Sequence, residues 1–220
     1  SCCERDKYMT TPQPQPAGNF AESDDPFALF SDWFNEATAY EISDPNAMTL
    51  ATVDAAGMPN LRIVLLKGVD RTAPGQSRGF TWFTNYESAK GRELADNSRA
   101  ALLFHWKSLR RQVRIRGPVD QVSAAEGDTY FASRLRGSQI GAWASKQSTR
   151  FERWADMEAA VARYEGEFAG VERVPRPPYW NGYRLVPERI EFWIAHRDRL
   201  HTRFEYVRDG DGWGASWLCP

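Results

Sequence analysis

Short alternating strands joined by turns constrain the fold of this chain more than any other feature. Residues 48–53 and 61–67 have strand character on either side of the turn Ala55-Ala56-Gly57, which predicts a hairpin. Further strands are predicted at 80–84, 100–106, 112–122, 183–186, 189–195, 204–207 and 213–217. Because strands with few helices between them form antiparallel meanders, the sequence favours an antiparallel barrel over a doubly wound sheet.

A small number of helices is predicted beside these strands, so the expected fold class is mainly β with flanking helices. Asp24-Asp25-Pro26 supplies a cap and a first-turn proline, and Phe27, Phe30 and Phe34 follow at helical spacing. The other helices are predicted at 88–95, 124–135 and 153–168.

Composition sets the limits of the domain and excludes several classes of function. Residues 1–24 are polar and rich in proline, which predicts a flexible N-terminal arm before a single domain at 25–220. The 28 Lys and Arg residues nearly balance the 29 Asp and Glu residues, so neither nucleic acid nor a membrane is an expected partner. Cys2, Cys3 and Cys219 lack zinc spacing, as do the histidines, and no metal is expected. With no leader segment or long apolar run, a cytoplasmic protein is expected.

The most specific pattern lies near the C-terminal end, in Arg199-Leu200-His201-Thr202-Arg203-Phe204. If this segment is extended, Arg199, His201 and Arg203 point the same way, because strand side chains repeat every two residues. Two fixed positive charges and one titratable ring on one edge suit an anionic, aromatic, phosphorylated ligand. A charged surface strand is the alternative.

Two other groups of residues indicate phosphate binding. Arg62 and Lys67 stand at the ends of an otherwise apolar strand and would clamp an anion, although a core strand with charged tips has the same pattern. Thr84 and Lys90 flank the start of the helix at 88–95, where free N–H groups and the helix dipole favour a phosphate. Simple capping by Ser88 is the alternative there.

A third group predicts a second phosphate pocket. Tyr130, Arg134 and Ser138 recur at four-residue intervals, so they converge on one side of a helix that runs into a turn. A salt-bridged surface arginine is the alternative. Residues 138–148 are too polar for a core helix and too rich in large side chains for a linker, which predicts a functional loop.

Two aromatic or amide positions suggest a heterocyclic ligand. Gln112 is expected on the apolar side of the alternating strand at 110–116, where a buried amide needs partners that a flavin can supply. Trp193 either packs in the core or covers a ring. Neither a Gly-x-Ser-x-Gly elbow nor a Walker-type glycine loop occurs. These features together suggest a phosphorylated cofactor that meets a phosphorylated substrate.

From about Asp25 to the C-terminal end, the chain resembles the pyridoxamine (pyridoxine) 5′-phosphate oxidase family. The most specific matches are Arg62-Ile63-Val64-Leu65-Leu66-Lys67, Ser138-Gln139-Ile140-Gly141-Ala142-Trp143-Ala144-Ser145-Lys146-Gln147-Ser148, Ile190-Glu191-Phe192-Trp193 and Arg199-Leu200-His201-Thr202-Arg203-Phe204. The resemblance implies an antiparallel split β-barrel of the FMN-binding type and a homodimer with FMN between the subunits. It also implies oxidation of pyridoxamine or pyridoxine 5′-phosphate to pyridoxal 5′-phosphate, with O2 as acceptor and H2O2 as product.

The same resemblance assigns three sets of site residues. FMN would be bound by Arg62, Ile63, Val64, Leu65, Leu66, Lys67, Phe83, Thr84, Lys90, Gln112, Gln147, Ser148, Trp193 and Arg203. The substrate phosphate would be bound by Lys67, Tyr130, Arg134 and Ser138. Arg199 and His201 would form the catalytic pair, which holds the pyridine ring of the substrate against the flavin.

Three departures from the family pattern bear on the cofactor. Ala89 stands where the family usually has the Arg of a Ser-Arg-Lys motif, which removes a charge-assisted FMN contact unless Arg92 replaces it. Phe83-Thr84 replaces the usual Tyr-Thr, and Trp217-Leu218-Cys219-Pro220 replaces Arg-Leu-x-Pro. The N-terminal Arg-x-x-Tyr lid of the family corresponds to Arg5-Asp6-Lys7-Tyr8.

Two other functions stay open on the sequence alone. One is a barrel that binds FMN or pyridoxal phosphate without turnover, which Ala89 and the altered C-terminal end favour. The retained substrate-phosphate residues argue against it, since a flavin carrier needs no such pocket. The other is a related flavin-dependent reductase. The pair Arg199 and His201 argues against this function.

Overall fold

A computed structural model of the chain describes residues 23–69 and 78–220. Its helices are α1 (Pro26–Tyr40), α2 (Ala89–Asp96), α3 (Ala124–Ala132), α4 (Arg136–Ala144), α5 (Trp154–Glu167) and a 3-10 turn at Arg197–Arg199. Its strands are β1 (Ala47–Val53), β2 (Pro59–Leu65), β3 (Gly68–Val69), β4 (Phe80–Asn85), β5 (Arg99–Trp106), β6 (Arg111–Gln121), β7 (Trp180–Leu185), β8 (Arg189–Ile194), β9 (Thr202–Asp209) and β10 (Gly212–Trp217). In these residues, no helix combines the length and apolar character needed to span a bilayer.

The ten strands form one antiparallel sheet that splits at β6. The main path runs β10-β9-β8-β6-β5-β1-β2, while β3, β4 and β7 form a branch. The first part of β6 pairs with β5 and β8, and its last three residues pair with β7. This arrangement confirms the predicted mainly β fold with flanking helices, and it is the antiparallel split barrel that the family resemblance implied.

Gly117 lies in β6 between the part paired with β8 and the part paired with β7. A Cβ atom at this position would lie 2.0 Å from the carbonyl oxygen of Val186, which is closer than real Cβ atoms approach backbone. A side chain is therefore excluded where β6 passes from one half of the barrel to the other.

Helix α1 fills the barrel with aromatic side chains, as its spacing predicts. The Asp25 carboxylate caps this helix by accepting the Phe27 N–H at 2.9 Å. The Phe30 ring packs edge to face on Phe80 and Phe104, with ring centroids 4.9 and 5.1 Å apart. A smaller apolar cluster under α3, α4 and α5 contains Phe131, Ile140, Phe168, Val174 and Trp180.

Three of the sequence predictions are wrong. The first is that Gln112 lies on the apolar side of β6. Arg111, Val113 and Ile115 face the core, whereas Gln112 shares the other face with Arg114 and Arg116. The buried polar residue is therefore Arg111, which lies 3.0 Å from the Glu36 carboxylate and stacks on Trp33 at 4.5 Å. The ion pair and the indole ring offset the cost of burying the Arg111 cation. The alternation of residues along the strand cannot predict this burial, because both partners lie on α1.

The second error concerns residues 138–148, which are not a single loop. Helix α4 occupies Arg136–Ala144, and only the residues after it form a loop before α5. The polar Gln139 fits in this helix because its side-chain N–H donates to the Phe131 carbonyl oxygen at 2.9 Å. On the same helix, Ile140 and Ala144 are buried.

The third error concerns the segment from Arg199 to Arg203, which is not one extended strand. Asp198 and Arg199 have φ angles of 58° and 62°, and β9 begins only at Thr202. Two successive residues with positive φ interrupt the extended backbone before β9, so the alternation rule does not apply to Arg199 and His201. The predicted division at residues 24 and 25 stays a prediction, and the Arg5-to-Tyr8 lid lies outside the described residues.

Candidate active site

A cavity of about 680 Å³ opens between the end of β2, strand β4, the start of α2, the α3–α4 connection and the loop after α4. It is lined by Arg62, Ile63, Val64, Leu65, Lys67, Phe83, Thr84, Lys90, Tyr130, Arg134, Leu135, Ser138, Gln147, Ser148 and Trp180. Four of these side chains are cationic and none is a carboxylate. The lining therefore favours an anionic ligand.

Lys90 forms one corner of the cavity, at the first turn of α2. Its Nζ atom lies 3.3 Å from Thr84 Oγ1, 3.4 Å from Ser88 Oγ and 3.1 Å from Gln147 Oε1. These partners are neutral, and Lys90 forms no salt bridge within the described part of the chain. Burial, and secondly the charge of Arg62, lower the pKa of Lys90 to about 8. A buried ammonium with neutral partners is well suited to bind an anion.

Arg62 lies beside this corner and is held by Glu93 of α2. Its Nη2 atom is 2.9 Å from Glu93 Oε2, and its Nη1 atom donates to the Leu50 carbonyl oxygen and to the Thr52 hydroxyl. Asn60 Nδ2 donates to the other Glu93 oxygen at 2.8 Å. Burial acts to raise the pKa of Glu93, but the hydrogen bonds that Glu93 accepts from Asn60, Thr52 and Arg62, together with the Arg62 charge, outweigh burial and lower the pKa. Arg62 is thus partly neutralised before any ligand binds.

Arg134 forms the opposite corner, just after α3. Its guanidinium lies 4.6 Å above the Trp180 ring, and its Nη1 atom is buried without a hydrogen-bond partner among the described residues. Burial lowers the pKa of Arg134 from its high ordinary value, as expected for a desolvated cation. Tyr130 and Ser138 line the same corner, and Lys67 Nζ lies 6.0 Å from the Tyr130 ring centroid. The predicted convergence of these residues on one side is confirmed.

Three nearly parallel aromatic rings form the wall beside this corner. The Phe83 and Tyr130 rings stack with centroids 4.0 Å apart, and Trp180 lies 5.8 Å from Phe83. Trp180 and Leu135 were not predicted as site residues. Trp180 ends the apolar sequence Pro177-Pro178-Tyr179-Trp180, in which nothing distinguishes a ring that lines a cavity from a core ring.

Apart from Leu66, five of the predicted site residues lie outside this cavity: Gln112, Trp193, Arg199, His201 and Arg203. Three of them form a row across neighbouring strands, because Trp193 of β8 pairs with Gln112 of β6 and with Arg203 of β9. We call Gln112, Trp193 and Arg203 the outer row. Along the sheet, β6, β5 and β1 separate β8 from the cavity strand β2. Leu66 is also outside the cavity lining, with its side chain in the main core.

His201 packs beside the outer row. Its ring centroid lies 4.6 Å from that of Trp193, and its Nδ1 atom accepts the His196 N–H at 3.2 Å. The neutral ring therefore carries its proton on Nε2. Desolvation and the nearby side chains of Arg199, His196 and Arg110 lower the pKa of His201. The neutral ring, with an Nε2–H donor, is favoured near neutral pH.

The fold and the cavity together define a class of protein, an antiparallel split barrel with a cavity whose cationic lining suits an anionic small molecule. A sequence model described as pyridoxamine 5′-phosphate oxidase matches residues 34–194. A second, described as the pyridoxine 5′-phosphate oxidase C-terminal dimerisation region, matches residues 180–220. The chain belongs to the pyridoxamine 5′-phosphate oxidase family.

Individual relatives agree with this assignment. The chain is 52% identical over 217 residues to a pyridoxine/pyridoxamine 5′-phosphate oxidase of Azorhizobium caulinodans, covering 98% of this chain and 99% of the relative. Its structure is similar to that of PhzG from Burkholderia lata 383, with a TM-score of 0.82, 32% identity and coverage of 90% and 94%. An FMN binding protein of Nostoc punctiforme shares the fold, with a TM-score of 0.70, 15% identity and coverage of 90% and 100%.

Proposed function

We propose that the protein oxidises pyridoxine 5′-phosphate and pyridoxamine 5′-phosphate to pyridoxal 5′-phosphate with FMN as cofactor and O2 as electron acceptor. One observation carries the proposal. A single cavity has two corners, and each contains a cation that has no carboxylate partner in the described part of the chain: Lys90, which is buried, and Arg134, which is half-buried and has a buried Nη1 atom. Two such corners suit two phosphorylated molecules, a cofactor and a substrate, that meet in one space.

The Lys90 corner fits the FMN phosphate. Lys90 supplies a charge without a salt bridge, Thr84 and Gln147 supply polar atoms, and the start of α2 supplies the positive end of a helix dipole. Arg62 and the strand residues up to Lys67 would hold the remainder of the cofactor. When bound, FMN would supply the redox chemistry by accepting a hydride from the substrate and passing the electrons to O2, which yields H2O2.

The Arg134 corner fits the substrate phosphate. The buried Nη1 atom of Arg134 lacks a hydrogen-bond partner among the described residues, so a phosphate oxygen would satisfy it. Lys67 adds a second charge, and Tyr130 and Ser138 add hydroxyl groups. These contacts would fix the substrate at one end and position its reactive carbon in the space between the two corners.

A second copy of the chain would complete the site. The C-terminal dimerisation region of the family covers Trp193, Arg199, His201 and Arg203, all of which lie outside the cavity. Strand β2 ends the main path of the sheet with Leu61 and Ile63 more than half exposed, as expected of a surface that a partner subunit covers. In this homodimer, the outer row of one subunit would face the cavity of the other. Arg199 and the Nε2–H group of His201 would then orient the pyridine ring.

Ala89 should weaken FMN binding without abolishing it. Arg92 does not replace the missing arginine, because its guanidinium donates to the Glu87 carbonyl oxygen and does not line the cavity. Lys90 is therefore the main cation at this corner. A barrel that binds FMN or pyridoxal phosphate without turnover is the second candidate, and Ala89 is the observation that favours it.

An aerobic assay separates the two candidates. Purified protein is saturated with FMN and given pyridoxine 5′-phosphate, and aldehyde absorbance and H2O2 are measured together. We expect equal amounts of aldehyde and peroxide, with pyridoxine lacking the phosphate as a poor substrate. Binding of FMN and pyridoxal 5′-phosphate without formation of either product would reject the oxidase and favour the carrier.

A further inference from the structure

We propose that Glu191 is a positioning residue that aims Arg203 at the flavin, an inference that rests on the proposed function. Glu191 lies on β8, two residues before Trp193, and is 6% exposed. Its Oε1 atom accepts a hydrogen bond from Arg203 Nε at 2.7 Å, and its Oε2 atom accepts one from Arg114 Nη1 at 2.8 Å. One buried carboxylate therefore ties strands β6 and β9 together across β8.

A second hydrogen bond, from a different nitrogen of the guanidinium, also fixes the Arg203 side chain. Its Nη1 atom donates to the Cys219 carbonyl oxygen at 3.0 Å, and the Leu218 N–H donates to the Arg203 carbonyl oxygen at 3.0 Å. With Nε and Nη1 engaged, Nη2 is the one guanidinium nitrogen that has no hydrogen bond within the described residues. Arg203 would therefore present a single nitrogen, in a fixed direction, to the flavin.

The charge arrangement distinguishes this carboxylate from an ordinary surface ion pair. Glu191 forms salt bridges with two arginines, Arg114 and Arg203, and its side chain is 7% exposed. By contrast, the neighbouring pair Arg189 and Glu205, joined at 3.0 Å, has side chains that are 48% and 17% exposed. Glu205 also acts on Arg203 through its charge, but it has no hydrogen bond to Arg203 among the described residues. It is therefore a control for removing one carboxylate charge from the same face of the sheet while the hydrogen bond to Arg203 is kept.

The test is a double-mutant cycle on FMN affinity. Glu191→Gln keeps the size of the side chain but removes its charge, and Glu205→Gln does the same at the control position. Apo-protein is titrated with FMN by fluorescence quenching, and dimer mass and thermal midpoint are recorded for each variant. We expect Glu191→Gln to raise the FMN dissociation constant about tenfold and Glu205→Gln to change it by less than about twofold.

The coupling to Arg203 gives the decisive result. If Glu191 acts through Arg203, Glu191→Gln should change FMN affinity by less than about twofold in an Arg203→Lys background. An undiminished tenfold effect in that background would overturn the proposal, since Glu191 would then act by general stabilisation. Should Glu191→Gln fail to fold, Glu191→Asp keeps the charge, shortens the reach and enters the same cycle.

The proposed function and this inference can fail separately. If Arg203→Lys weakens FMN binding while Glu191→Gln matches the Glu205→Gln control, the positioning role is rejected and the oxidase site stands. If Arg203→Lys leaves FMN affinity unchanged, the positioning role is rejected as well. A Lys90→Met variant then shows whether FMN uses the cavity, as the proposed function requires.

Discussion

Lys90 Nζ lies 3.1 Å from Gln147 Oε1, so a buried ammonium is bound by a neutral amide where a carboxylate would be expected. Gln147 belongs to the loop after α4 and Lys90 to the first turn of α2. The contact therefore joins two separate elements across the corner where the cofactor phosphate is proposed to bind. It leaves the positive charge of Lys90 available to a ligand.

FMN binding should weaken as the pH rises through about 8. Burial lowers the pKa of Lys90 to about 8 in the free protein, and a bound phosphate would favour the charged ammonium and raise that pKa again. Above pH 8 the free protein must take up a proton to bind FMN, so affinity should fall by up to about tenfold per pH unit. Titrations of apo-protein between pH 7 and 9.5 measure this. In a Lys90→Arg variant, which stays charged throughout, the same dependence should disappear.

Arg134→Met should impair substrate binding and spare the cofactor. Removing the guanidinium deletes the buried donor proposed for the substrate phosphate, and a hydrogen bond to a charged group contributes about 1.5–3 kcal/mol. The KM for pyridoxine 5′-phosphate should rise roughly tenfold to a hundredfold, with FMN affinity changed less than about twofold. Steady-state kinetics at saturating FMN measure the first effect and fluorescence titration the second. Arg163→Met, at an exposed position on α5, is the control. Equal losses of FMN and substrate affinity would contradict the two-corner assignment.

Ala89→Arg should strengthen FMN binding. Residue 89 is the first of α2, one position before Lys90, so an arginine there adds positive charge at the phosphate corner. The FMN dissociation constant should fall about tenfold, as measured by titration of apo-protein. Arg92→Ala should change it little, because that side chain is engaged with the Glu87 carbonyl oxygen. A large loss of affinity in Arg92→Ala would show that Arg92 already compensates for Ala89.

Gly117→Ala should destabilise the barrel. The new Cβ would lie 2.0 Å from the Val186 carbonyl oxygen, so either β6 or the connection between β7 and β8 must shift, at a cost of about 2 kcal/mol or more. Gly166→Ala makes the same chemical change in α5, where nothing lies within 4 Å of the added atom. There we expect a gain of about 0.5–1 kcal/mol from helix propensity. Urea denaturation compares the two, and equal effects would contradict the packing argument.

The sequence predicted the elements better than it predicted which residues come together. The Asp25 cap and the helical spacing of the phenylalanines predict α1, and the alternation of apolar and polar residues predicts β1 and β2. These predictions succeed because each signal depends only on residues close together in the sequence. Tyr130, Arg134 and Ser138 do line one corner of the cavity, but they lie on α3, on the α3–α4 connection and on α4, not on one helix as the four-residue spacing predicts. Spacing cannot show that Trp180 completes this corner, since that contact depends on how β7 packs under α3.

The C-terminal motif shows where local rules stop. The alternation of Arg199, His201 and Arg203 predicts one shared edge, but two left-handed residues before the strand break the pattern. An arginine is uncommon in that conformation, so no propensity would predict it. The prediction that Gln112 lies on the apolar face of β6 fails for a related reason. Arg111 occupies that face instead, and it can be buried there only because Glu36 on α1 pairs with it.

The separation of the outer row from the cavity has a consequence for mixtures of defective chains. If each active centre takes its cavity from one subunit and takes its outer row, together with Arg199 and His201, from the other, Arg134→Met and Arg199→Met chains damage different halves of it. A hybrid dimer then has one centre that carries both lesions and one that carries neither. Random mixing of the two impaired proteins should restore about a quarter of the intact centres, so at substrate concentrations well below KM co-expression should give more activity than either variant has alone.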